Sequence, residues 1–213
     1  YGAGNNIGDE IVKHPKIKAI SFTGGTKTGK TISKTASSLL KKVSLELGGK
    51  NPIIIFDDCN YDEMLNTTVR SSFGNQGQIC LCGERIFIQE SIYNKFKKDF
   101  VKETKKLKIG NPLKSNTNQG AIVSKEHYTK VLAYFDRARE SGAKFITGGK
   151  SKSVKGTCSK GWFIEPSIIE NLDRNSDCYK EEAFGPVTSL HKFKNKEEVI
   201  EPISMLLASA SLD

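Results

Sequence analysis

Cys80 and Glu46 are the two residues of this 213-residue chain whose types and neighbours first suggest chemistry. Cys80 closes the run Gly77-Gln78-Ile79-Cys80 and is followed by Cys82 and Arg85. A cysteine thiolate is a strong nucleophile near neutral pH, but a cysteine is more often a small buried hydrophobe. Cys80 and Cys82 also have the spacing of a metal-binding pair. A zinc site needs about four ligands, and no second pair or neighbouring histidine supplies them, so no metal is expected. Glu46 lies between Leu45 and Leu47, just before Gly48 and Gly49. A carboxylate in apolar company can serve as a general base, and an exposed glutamate at a strand end is an equal alternative.

A third candidate is the glycine-rich stretch at residues 24–31, GGTKTGKT, which satisfies the P-loop pattern G-x-x-x-x-G-K-[ST]. Gly24, Gly25, Thr26 and Gly29 would let backbone N–H groups approach phosphate oxygens beside a helix N-terminus. Three readings compete: a structural turn, a triphosphate cradle, or a seat for the diphosphate of a dinucleotide. A triphosphatase would add Asp57, which ends the apolar run at 52–56, as its magnesium ligand.

Short apolar runs alternate with amphipathic stretches around these candidates. The runs at 18–22, 43–47, 52–56, 85–89, 143–147, 162–169 and 187–193 read as strands, with 52–56 (PIIIF) typical of a strand buried on both faces. Residues 30–41, 62–75, 91–107 and 125–141 read as helices, the last stopped by Gly142. Residues 150–160 read as an exposed loop. Strands alternating with helices predict an α/β fold with a mainly parallel sheet.

Composition narrows the class. Hydrophobic content is 37% and charged content 27%, which suits a globular domain rather than a disordered chain. No apolar run approaches the ~18 residues of a membrane span, and no signal-peptide pattern opens the chain. Five cysteines without paired spacing point to a reducing compartment, and a cytoplasmic location is expected. The net charge of +9 admits polyanion binding. The lysines lie mostly along helical stretches such as residues 93–108, mixed with Asp99 and Glu103, however, so a solvated helix face is expected and no nucleic acid.

Four segments in order resemble the aldehyde dehydrogenase superfamily. Phe22-Thr23-Gly24-Gly25-Thr26 with Gly29 resembles its cofactor loop, and residues 45–52 (LELGGKNP) resemble its LELGGK signature. Phe73, Gly77-Gln78, Cys80 and Arg85 fit the F-x-x-x-G-Q-x-C-x-x-x-x-R thiol motif, and residues 181–187 (EEAFGPV) fit EE-x-FGPV. The resemblance spans about residues 5–201. The stretch 69–93 is most similar to the subgroup that oxidises 2-aminomuconic semialdehyde with NAD.

The resemblance implies an incomplete Rossmann-type three-layer α/β/α fold. It divides the chain into part of an NAD-binding domain (1–48), part of the thiol-bearing catalytic domain (49–201) and a divergent tail (202–213). It also implies NAD, or NADP, as cofactor, a small aldehyde as substrate, and a homo-oligomeric parent. By the same resemblance Cys80 is the nucleophile and Glu46 the base that activates the hydrolytic water. Leu47 then lies near the nicotinamide carboxamide, Glu182 on the nicotinamide ribose and Phe184 beside the nicotinamide ring. Family members carry a long N-terminal portion, with an oxyanion-hole asparagine and an adenosine-binding lysine, that does not precede Tyr1 here. The 213-residue chain by itself is therefore expected to be inactive, or to act as a non-catalytic, subunit-binding product. The departure after Glu201 is expected to mark a splice or gene-assembly boundary.

Overall fold

The computed structural model describes residues 1–200, so the expected tail at 202–213 lies outside the described residues. Contacts divide the chain into two compact units, Tyr1–Gly48 and a second that starts at Gly49.

The first unit runs α1 (Gly4–Lys13), β1 (Ala19–Gly24), α2 (Thr26–Ser38) and β2 (Lys42–Leu47). The two strands pair in parallel, from Ala19 opposite Lys42 to Gly24 opposite Leu47. Helix α2 begins four residues before the expected Lys30, immediately after Gly25. Helix α1 escapes the sequence pattern because Gly4 and Gly8 depress its helical propensity and only Ile7, Ile11 and Val12 supply an apolar stripe. Lys41, the residue just before β2, ties down the end of α1 by donating through Nζ to the carbonyls of Val12 and His14.

The second unit opens with β3 (Asn51–Ile55), α3 (Tyr61–Phe73), β4 (Gly83–Gln89) and α4 (Glu90–Thr104). After α5 (Lys125–Glu140) come β5 (Lys144–Thr147), β6 (Ser151–Lys152), β7 (Phe163–Ile164), β8 (Ser167–Glu170), the single turn α6 (Asp177–Lys180) and β9 (Val187–Phe193). Five strands form a sheet in the order β3-β4-β9-β8-β5. The first four run parallel and β5 pairs antiparallel to β8, as the alternation of elements predicts.

Strand β4 is an interior strand buried on both faces. Ile86 and Ile88 pack with Leu65, Phe73, Phe96 and Phe100 of α3 and α4, whereas Phe87 turns the other way toward Val131, Phe135 and Ala138 of α5. Period-two alternation thus feeds two apolar layers, one on each side of the sheet, and the unit is α/β/α. Lys95 and Lys98 of α4 are exposed, and Lys95 pairs with Asp99 (3.2 Å), whereas Lys97 is half-buried and pairs with Glu170 of β8 (2.9 Å).

Three sequence expectations change. Strand β3 is an edge strand whose Ile54 is exposed, so the β-branched run marks one covered face and not two. The single strand expected at 162–169 is two, β7 and β8, which belong to different sheets on either side of Glu165-Pro166, since proline cannot donate to a ladder. The loop at 150–160 contains β6, paired antiparallel with β7. Among the described residues no helix is long and apolar enough to cross a membrane.

Candidate active site

Helix α3 stops at Gly74, and Asn75, Gln76 and Gly77 then all take left-handed backbone angles (φ 47°, 58° and 68°). Such a turn is costly for side-chain-bearing residues, so it needs external support. Glutamine side chains provide it. Gln119 Nε2 donates to the Phe73 carbonyl (2.7 Å), and Gln78 Oε1 accepts from the Val123 amide (3.0 Å). Gln76, with its amide oriented to accept, takes the Gly120 N–H (2.8 Å). Asn51 Nδ2 donates to the carbonyls of both Cys80 and Cys82.

Cys80 therefore sits on a tethered backbone with an exposed side chain, between exposed Ile79 and Leu81. The buried, inert reading of Cys80 does not hold. Cys82 is the buried cysteine: its Sγ lies 3.6 Å from the Gly74 carbonyl, and burial pushes its thiol pKa up. All five cysteines are free. Among the described residues no group of three or more His, Cys, Asp or Glu could hold a metal ion.

Gly77 also presses on the segment that carries Glu182 and Phe184. A Cβ at Gly77 would overlap the Gly185 carbonyl and stand 2.9 Å from the Pro186 nitrogen. Glu182 is half-buried and accepts from the Gly49 amide; burial, then the nearby charge of Glu84, raises its pKa. Phe184 holds φ at +50°. Its carbonyl receives a hydrogen bond from His127 Nε2 (2.6 Å), and its ring meets the imidazole edge-on at 5.8 Å.

A buried ion pair laces the same segments together. Lys50 Nζ meets Glu84 Oε2 at 2.5 Å and donates to Tyr134 Oη at 3.0 Å. Burial opposes the Lys50 charge, but Glu84 and Tyr134 outweigh it and the net shift is upward. Glu84 Oε2 also accepts the Ala183 amide (3.0 Å), and Oε1 the Phe184 amide (3.1 Å). Arg85, almost fully buried, donates to the Lys50 carbonyl and stacks 5.3 Å from the Tyr179 ring. Sequence reasoning missed Glu84, Lys50, Gln119 and His127. An adjacent Glu-Arg pair inside an apolar strand was the one available signal, because buried charges are paired almost without exception.

The remaining predicted residues belong to the first unit. Gly24 stands opposite Leu47, and Thr23 opposite Glu46. Gly29 faces inward, where a Cβ would meet Leu47 Cδ2 at 2.5 Å. Around Gly25 there is open space, and α2 has no acidic residue or side-chain cap in its first turn. The amides of Thr26, Lys27 and Thr28 have no intrahelical carbonyl to bond, which suits an anionic oxygen. Strand alternation turns Leu45 and Leu47 to the face opposite Glu46, whose side is exposed. Position between two leucines thus does not enclose the carboxylate.

The triphosphate-loop reading fails in this geometry. Residues 26–30 of the pattern are the first turns of α2 rather than an open loop that wraps phosphates. Asp57, its supposed magnesium ligand, is engaged locally: its amide donates to Gln89 Oε1 (3.0 Å) and its Oδ2 accepts from Ser91 Oγ (2.7 Å).

Residues 1–203 match the aldehyde dehydrogenase family. The chain belongs to that family. It is 47% identical over 203 residues to human 2-aminomuconic semialdehyde dehydrogenase, covering 94% of this chain and 42% of that protein. It is 39% identical to zebrafish 4-trimethylaminobutyraldehyde dehydrogenase A, covering 93% of this chain and 39% of that protein. Among solved structures, betaine aldehyde dehydrogenase from Staphylococcus aureus in complex with NAD+ superimposes with a TM-score of 0.90 at 38% identity, over 94% of this chain and 40% of that one. The chain thus spans about two fifths of the length of these family members, and its fold is theirs.

Proposed function

We propose that the protein carrying this chain oxidises an aldehyde to a carboxylic acid with NAD as hydride acceptor, and that the aldehyde is a semialdehyde of the 2-aminomuconic type. The carrying observation is an exposed thiol at Cys80 on a backbone held by Asn51, Gln78 and the Gly77–Gly185 approach. Relatives of 45–47% identity named for 2-aminomuconic semialdehyde support the substrate class. A neighbouring structure in complex with NAD+ supports the cofactor.

Within the first unit, the free amides at the start of α2 and the open space at Gly25 suit the diphosphate of a dinucleotide, with Gly24, Thr26 and Gly29 shaping the turn. Leu47, Glu182 and Phe184 would serve its nicotinamide end, the first as backbone, the second through its carboxylate and the third through its ring. In this reading residues 1–48 are part of the dinucleotide-binding domain and residues 49–201 part of the catalytic domain. NAD, when bound, takes up the hydride.

The protein's own steps run through sulfur. Cys80 Sγ adds to the aldehyde carbon to give a thiohemiacetal, because a free aldehyde has no good hydride-donating tetrahedral form. Loss of hydride leaves a thioester on Cys80. Glu46 then takes a proton from water, which attacks the thioester carbon, expels the thiolate and releases the acid. An exposed glutamate can reach water freely, so this role needs no enclosed carboxylate. The test is NADH formation from a semialdehyde by the full-length protein and its Cys80→Ser variant: turnover lost in the variant supports the reading, and turnover kept overturns it.

A further inference from the structure

Glu84 is a buried carboxylate for which the reaction has no use, yet it joins three of the four motif segments. Its two oxygens receive the Lys50 ammonium and the consecutive amides of Ala183 and Phe184. Its own carbonyl accepts from Ser189 Oγ at 3.2 Å, which fixes it against β9. Between Glu182 and Gly185 the chain is not a strand, and Phe184 holds a left-handed angle that a bulky residue adopts only under constraint. Two groups impose it, Glu84 from the amide side and His127 from the carbonyl side.

We propose that Glu84 is a positioning residue for dinucleotide binding: it holds residues 182–184 in their bent form before cofactor arrives, without touching the cofactor. This rests on the reading of Glu182 and Phe184 as nicotinamide-side contacts. A forked carboxylate can take two successive N–H groups and an ammonium at once. A glutamine at the same place offers a single acceptor oxygen and turns a donor toward groups that also donate. The geometry it gives up is the one a dinucleotide would otherwise find ready-made.

The experiment uses the full-length protein and two variants, Glu84→Gln and Glu182→Ala. It reads NAD affinity by calorimetry, amide hydrogen exchange at 183–184 without cofactor, and the rate at which iodoacetamide alkylates Cys80. Expected for Glu84→Gln is an affinity about tenfold weaker, the scale of one charge-assisted hydrogen bond. Exchange at 183–184 should be faster, with Cys80 alkylation at the wild-type rate. Wild-type affinity in Glu84→Gln, beside weakened binding in Glu182→Ala, overturns the proposal alone. Wild-type affinity in Glu182→Ala, beside weakened binding in Glu84→Gln, overturns the role of Glu182 and leaves Glu84 acting through Phe184.

Removing one partner of a buried ion pair can unfold a domain, so the double variant Lys50→Met/Glu84→Gln is the folding control. With no uncompensated charge it should fold and still bind NAD weakly. A folded double variant that binds NAD like the wild type contradicts the proposal.

Discussion

Replacing Gly77 by alanine should damage the protein far more than the same change at Gly142, another left-handed glycine of the second unit. Two costs add. The left-handed angle of 68° costs an L-residue about 1–2 kcal/mol. The new Cβ also overlaps the Gly185 carbonyl and lies 2.9 Å from the Pro186 nitrogen, all backbone atoms that no rotamer change can move away. Overpacking of that kind costs about 1–3 kcal/mol, so the total is about 2–5 kcal/mol. Gly142→Ala is the natural control, because its angle is 86° but nothing lies within 4 Å of the added methyl. It should lose only the first term, partly offset by a less flexible unfolded chain. Thermal unfolding of the full-length protein, followed beside Cys80 alkylation, reads both effects. Gly77→Ala should melt several degrees below Gly142→Ala and alter the alkylation rate, while Gly142→Ala leaves that rate alone. Equal losses in the two variants would refute the claim that the Gly77–Gly185 contact shapes the thiol loop.

His191 should make the second unit acid-sensitive: burial first, then the charges of Arg174, Arg85 and Lys50, depress its pKa to about 3. It packs against Tyr179 and Phe87 and shares a hydrogen with Ser189 Oγ (2.8 Å). Because the folded pKa lies below the unfolded value of about 6.5, its stabilising contribution is full above that value and fades as pH falls toward 3. Urea midpoints measured from pH 7 to 4 should drop less in His191→Gln than in the wild type; parallel curves would exclude this histidine as a source. Limited alkylation followed by peptide mapping should modify Cys80 well before Cys82 and Cys178, both buried and both with thiols shifted upward by burial. Equal labelling of the three would count against the exposed-thiol geometry.

What the sequence reveals about the site is set by how far apart the partners lie along the chain. Gly77, Cys80 and Arg85 are legible because they sit within nine residues and their spacing is itself the signal. Glu84 falls among the unconstrained positions of the same motif, and its partners Lys50, Ala183 and Phe184 are 34, 99 and 100 residues away. Tertiary distance hid it. Glu46 shows the converse: its leucine neighbours are adjacent in sequence but lie across the strand. The longer helices α3, α4 and α5 and the strands β3, β4, β5 and β9 were legible from period, whereas the short β6 and α6 were not, and the covering of β3 on one face depends on its place at the sheet edge, which no local pattern encodes. Pro166 was a visible break that the apolar run around it obscured.

The central claim is that Cys80 carries the acyl group during turnover. Full-length Glu46→Gln protein, given NAD and a semialdehyde, then quenched with acid and digested, should yield a peptide containing Cys80 heavier by the acyl group of the substrate. That adduct should require NAD and be absent from Cys80→Ser. An acyl group found on another residue, or turnover with no adduct at Cys80 under any quench, would contradict the account.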